Sequence, residues 1–185
     1  VGAEAFEWIT MKNHDHAVSN PIAQYRKPIS MEQVRASRMI ADPIRLLMCS
    51  AISDGAAALV ISSQPGRGGV RVRASALTSS PWRLAPGALP GPTLAADKAY
   101  AQAGIGPSDL DLAEVHDAVS PAELMHYREL RFCEDGEVAK FVAERASALG
   151  GRLPVNPSGG LNSRGHPVGA TGVAQLLELT LQLRG

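Results

Sequence analysis

The 185 residues set 18 Lys+Arg against 18 Asp+Glu and are 45% hydrophobic, a composition that fits one globular domain with a sizeable core rather than two. A formal net charge of zero gives no global field pointing to nucleic acid or an anionic membrane, so any anionic ligand must be held locally. Cys49 and Cys133 are the only cysteines and lack CxxC spacing, which indicates neither a zinc site nor a disulfide framework and fits a reducing, cytoplasmic setting. No apolar run approaches the roughly 18 residues of a membrane span, and "VGAEAFEWIT" lacks the basic and apolar regions of a signal peptide. The first residue is Val1, not Met, which hints at a piece of something longer.

Residues 1–30 read as a loop or short helix followed by an extended segment. "ISMEQVRASRMI" predicts a helix capped by Ser30 and running toward Ile40, with Pro43 interrupting beyond it. "DGAAALVISS" reads as a turn entering a buried strand, its alanines equally able to start a helix. "SQPGRGG" is a turn, and the alternation in "GVRVRASAL" predicts a half-buried strand. "SSPWRLAPGALPGP" is a loop of functional length. "TLAADKAYAQAGI" predicts a helix with Thr93 as N-cap and Gly104 near the C-cap, and "DLDLAEVHDAV" a strand. Ser120, Pro121 and Glu123 mark a helix start of capping-box type. Further helices cover about 136–149 and "ATGVAQLLELTLQLR". Strands alternating with helices make an α/β layered fold, without internal repeat.

Two histidines fall where a strand meets a helix, His116 in "EVHDAVSPAE" and His166 in "SRGHPVGATG". Such edges are where α/β folds bind ligands. The 50 residues between them allow one βαβ-sized excursion back to a common cleft. Glycines around His166 let backbone approach a ligand, and the following helix N-terminus can face a developing negative charge while disfavouring imidazolium. A bland role, satisfying nearby carbonyls, serves His166 alone equally well and is favoured for His116 alone; the pair strengthens the functional reading of both. His14, Asp15 and His16 lack further ligands for a metal site. A phosphate loop is disfavoured because the GK[ST] ending is missing. Acidic neighbours of Cys133 raise its thiol pKa, and Cys49 reads as a small buried apolar residue.

"NPSGGLNSRGHPVGATG", "SDGAAALVIS" and "EVHDAVSPAELMHYREL" resemble the C-terminal half of thiolases, of the sterol-carrier-protein type and its bacterial lipid-transfer relatives. "MKNHDHAVSNPIAQYRKPISMEQVRAS" and "ADPIRLLMCSAISDGAAALV" resemble that subgroup's loop region, so the resemblance runs along nearly the whole chain. It implies a thiolase-like α/β fold, a mixed sheet with helices on both faces that is incomplete without an N-terminal half. It also divides the chain into a loop region, 1–50, and a C-terminal thiolase-like domain, 51–185, lacking the final strands. The implied chemistry is acyl transfer on acyl-coenzyme A thioesters, as in acetyl-CoA acetyltransferases, with coenzyme A as substrate and no covalently bound cofactor. His166 then assists a cysteine nucleophile and helps bind the thioester oxygen, and His116 contributes to the same oxyanion site. Gly159, Gly160 and Gly165 line that region. Ser50 matches a position near the pantetheine arm, although a cap role serves equally. Glu123 stands behind His116, where its capping-box position is a sufficient structural reason.

Three departures from the family's pattern shape the expectation. The half bearing the nucleophilic cysteine is absent, Ala118 occupies the place of the subgroup's acid/base cysteine, and the chain stops just after the final helix. The isolated chain is therefore expected to be inactive and to require its missing half or a complementary chain, within a homo- or hetero-oligomer. Two alternatives stand beside thiolase chemistry: a lipid-transfer-type retro-aldolase acting on a steroid-like acyl thioester, and a non-catalytic binding or assembly subunit.

Overall fold

In the computed structural model, residues 2–64, 69–80 and 86–185 are described. Seven helices and one small sheet order along these residues as α1 (Ala3–Ala17), α2 (Met31–Ala36), β1 (Met39–Ala41), β2 (Ile44–Arg45), α3 (Gly91–Ala103), α4 (Ser120–Glu129), α5 (Val138–Ala143), α6 (Gly160–Arg164) and α7 (Thr171–Arg184). β1 and β2 pair antiparallel, joined through a cis Asp42–Pro43 bond.

The apolar core gathers Ile9 of α1, Val115, Leu124 and Tyr127 of α4, Phe132, Phe141 of α5, Leu153 and Val155. Tyr127 and Phe141 pack with ring centroids 4.8 Å apart. α1 lies across α4 and α6, which makes it the floor beneath both histidine motifs. The expectation of a loop or short helix over 1–30 thus gives way to a fifteen-residue helix. Its periodicity is faint because the buried face is polar: Thr10, Lys12, Asn13 and His16 are all inside.

Local signals held where the backbone alone decides. Ser30 caps α2 in a reciprocal box with Gln33, and Gly104 ends α3 in the left-handed conformation at φ 69°. α2 stops at Ala36, four residues before Ile40, because the chain turns into β1. Thr93 does not cap α3; the helix begins two residues earlier at Gly91, with Pro90 as N-cap, and Thr93 is buried in its first turn. α5 is shorter than the expected 136–149.

The strands expected at 54–63, 69–77 and 109–119 form no ladder among the described residues. Isolated bridges join Cys49 to Val119, Ile52 to His166, and Ala113 to Val155. A strand is completed by its neighbour, and Ile52, Val60, Ile61 and Leu77 are almost wholly exposed, so the burial expected for 54–63 is not realised in this chain. Four residues of the "SQPGRGG" turn, 65–68, and the 81–85 part of the long Pro/Gly loop lie outside the described residues.

Candidate active site

Two tight segments bring the histidines together. Val115 donates its N–H to Asn156 Oδ1 at 2.8 Å, and its carbonyl accepts from Gln175 of α7 at 2.8 Å. The next-but-one residue, Asp117, is fully buried and accepts from Leu161 N at 2.7 Å and Asn13 Nδ2 at 2.9 Å. The His116 side chain, between two anchored neighbours, is exposed toward the cleft.

On the opposite side Gly159, at φ 98°, and Gly160, at φ 61°, start α6. A Cβ on Gly159 would stand 3.1 Å from Ala17 Cα, and one on Gly160 would collide with the Asp117 carboxylate. Both positions therefore require glycine for a left-handed turn and for close approach. Gly165, at φ 109°, lies against Ser53, whose hydroxyl accepts the His166 N–H at 3.0 Å and donates to Gln24 Oε1 at 2.6 Å.

The imidazoles of His116 and His166 meet edge to face, centroids 4.9 Å apart and planes at 84°. His166 Nδ1 lies 2.8 Å from Thr171 Oγ1, and that hydroxyl donates its one proton to Pro167 O at 3.1 Å. Oγ1 must then accept, so Nδ1 carries the hydrogen and Nε2 the lone pair. Burial, His116 and Arg164 together push the His166 pKa below the ordinary imidazole value. The N-terminus of α7, five residues on, acts in the same direction. His166 is thus a neutral, half-buried base with Nε2 unpartnered among the described residues.

A groove opens beside it between residues 53–57 and the 167–170 turn, where Gly55 lies so close to Pro167 that a Cβ would stand 2.8 Å from its Cγ. Ser50 donates its N–H to Ala118 O at 2.9 Å; the bond ties the Ser50 backbone to the segment that follows His116.

Glu123 is not in a capping box. The N-cap of α4 is Val119, and Ser120 is its first residue, hydrogen-bonded to Thr10 at 2.6 Å. Glu123 is fully buried, paired with Lys12 Nζ at 2.7 Å. It also accepts from Asn13 at 3.0 Å, Asn156 at 2.8 Å and the Tyr127 hydroxyl. Lys12 further donates to Val155 O at 2.8 Å. This network lies behind the cleft and, together with Glu123's charge, burial holds the Asp117 pKa well above the usual carboxylate value. Lys12, Asn13 and Asn156 escaped the sequence reading; the unusual polarity of α1 could have signalled the first two, which lie on it, but not Asn156, which lies in the loop before α6.

The remaining candidates serve the fold. His14 Nδ1 bonds Lys27 O at 3.3 Å, and its ring stacks on Tyr25. His16 donates Nδ1–H to Asn156 O at 3.0 Å and accepts Leu149 N–H on Nε2 at 3.1 Å. Both cysteines are free and half-buried. Burial raises both thiol pKa values, with Glu137, Glu134 and Asp135 adding at Cys133; burial, rather than the acidic neighbours, is the larger cause there. Among the described residues no helix is long and apolar enough to cross a membrane.

Residues 88–185 match the family described as thiolase C-terminal domain-like. A benzoylsuccinyl-CoA thiolase subunit of Thauera aromatica is 38% identical over 98% of the chain and 50% of its own length. An acetyl-CoA acetyltransferase of Methanothermobacter thermautotrophicus is 40% identical over the same shares. Sterol carrier protein 2 of Bos taurus is 37% identical over 98% of the chain and 36% of its length. The solved Ltp2-ChsH2(DUF35) aldolase matches with a TM-score of 0.80 and 27% identity, over 100% of this chain and 53% of that one. The chain spans half or less of the length of these curated relatives. With its α/β architecture and paired histidines, the chain belongs to the thiolase C-terminal domain-like family.

Proposed function

We propose that the chain supplies the histidine side of an acyl-CoA thioester site, for Claisen condensation or thiolytic cleavage, completed by a cysteine nucleophile outside residues 1–185. The observation that carries this reading is the placement of the His166 ring, held at Nδ1 by Thr171 Oγ1 and 4.9 Å ring to ring from His116. In the step proposed, Nε2 takes the proton of the external thiol as its sulfur bonds to the thioester carbonyl carbon. The carbonyl π electrons move onto oxygen, and the new Nε2–H and the His116 ring face that charge. A donor so placed is worth roughly 3 kcal/mol. Collapse of the intermediate expels the coenzyme A thiolate, which recovers the proton.

Ser50 and the groove at 53–57 would guide the pantetheine arm, and Gly159, Gly160 and Gly165 shape the oxyanion side. The partner is the nucleophile-bearing half or a complementary chain, in an oligomeric assembly; the division at residue 50 and a cytoplasmic setting belong to the same proposal.

A second reading, retro-aldol cleavage of an acyl-CoA side chain, is favoured by Ala118, which leaves no sulfur for acid/base work, and by the likeness to a solved aldolase. Free coenzyme A separates the two, since thiolysis consumes it and retro-aldol cleavage does not. His166→Ala in the complete assembly is expected to abolish turnover. Unchanged turnover would leave the third reading, a non-catalytic assembly subunit.

A further inference from the structure

Among the described residues the His116 ring makes no hydrogen bond, and its one ring contact is His166. Its position is therefore set through its main chain. The His116 carbonyl is met by His126 Nε2 at 3.3 Å, ten residues along on α4. The other nitrogen of that ring, Nδ1, lies 3.1 Å from Glu129 Oε2. The two side chains are 20% and 8% exposed, so the pair is sheltered rather than a loose surface contact. A backbone carbonyl can only accept, so the Nε2 that meets it is the donor, and Glu129 faces the other ring nitrogen. Glu129 turns the imidazole, and Nε2–H points at the His116 backbone.

We propose that His126, oriented by Glu129, is a positioning residue that fixes where the His116 ring stands against His166. This rests on the reading of the two histidines as the thioester-oxygen site. Neighbouring anchors hold Val115 and Asp117, but the His126 bond is the one made to His116's own carbonyl. Without it the peptide after His116 can tilt, and the ring at its Cα swings with it. A displacement near 1 Å at a reacting centre can cost about 100-fold in rate.

The test compares His126→Leu with His126→Gln in the native protein. The amide nitrogen of Gln stands close to where Nε2 stands and can donate to the carbonyl; Leu cannot. Ring-proton NOEs between His116 and His166 are expected in the wild type, lost in the Leu variant and retained in the Gln variant. In turnover, kcat for an acyl-CoA thioester is expected to fall about tenfold or more in the Leu variant, KM staying within about twofold, with recovery in the Gln variant. NOEs that persist in the Leu variant, or a Gln variant as impaired as Leu, overturn the proposal. A complete wild-type assembly, nucleophile-bearing half included, that processes no acyl-CoA overturns the thioester reading alone, and the NOEs still decide the role of His126.

Discussion

Asp117 Oδ1 accepts the Leu161 main-chain N–H at 2.7 Å, and this bond fastens the segment bearing His116 to the helix that leads into His166. The carboxylate is fully buried and also holds Asn13 of α1. Replacing Asp117 by Ala takes the acceptor from the Leu161 and Asn162 N–H groups and from one hydrogen of Asn13 Nδ2, which keeps its bond to Glu123, at a cost on the order of 3 kcal/mol. Urea denaturation measures it, and a loss below about 1 kcal/mol would show that water substitutes freely for the carboxylate.

Thr171 fixes the hydrogen of His166 on Nδ1. Thr171→Val removes the acceptor, lets the imidazole take either tautomer, and is expected to lower turnover of the assembled enzyme by about 10- to 100-fold. Thr171→Ser keeps the hydroxyl and the rate. Imidazole nitrogen shifts report the tautomer directly; a Val variant still protonated on Nδ1 alone would sink the argument.

Lys12 and Glu123 form an ion pair with both side chains almost wholly buried. Lys12→Met strands the Glu123 charge and is expected to destabilise by about 3–5 kcal/mol, whereas the double variant Lys12→Met/Glu123→Gln recovers part of that loss. Denaturation of all four proteins gives the coupling, and additive losses would contradict it.

Acid and base should act on stability in opposite directions at two sites. Burial raises Glu114 from 4.5 to about 7, against the opposing hydrogen bonds from Ser158. The folded state then keeps a proton the unfolded chain releases, so this contribution is full below pH 4.5 and lost as pH rises through 7. Burial lowers His16 from 6.5 to about 4, so its contribution is full above pH 6.5 and lost as pH falls through 4. The opposed slopes overlap and offset between pH 4.5 and 6.5. Glu114→Gln is expected to gain stability over the wild type between pH 4.5 and pH 8 by on the order of 2–3 kcal/mol. An identical difference at both pH values would remove Glu114 from the account.

The meeting of His116 and His166 was legible because both lie beside signals with a local cause, a helix start after "EVHDAV" and a glycine-rich turn before α7. What stabilises that meeting was not. α1 hides its role because its inward face is Thr10, Lys12, Asn13 and His16, side chains that carry no apolar period. Glu123 sits where a capping box would place it, and only tertiary structure reveals Lys12 as its partner. The expected strands at 54–63 and 69–77 misled for a related reason: alternation predicts an extended chain, and pairing depends on a neighbour that local sequence does not specify.

The polar ties of α1 also bear on how the chain folds. Asn13 reaches Asp117 across 104 positions and Lys12 reaches Val155 across 143, so the entropy of closing very long loops must be met before the first helix gains its partners. Until that closure occurs Glu123 lacks its Lys12 partner and Asp117 lacks Asn13. A polypeptide with α1 undocked therefore lacks the floor on which both histidine motifs rest.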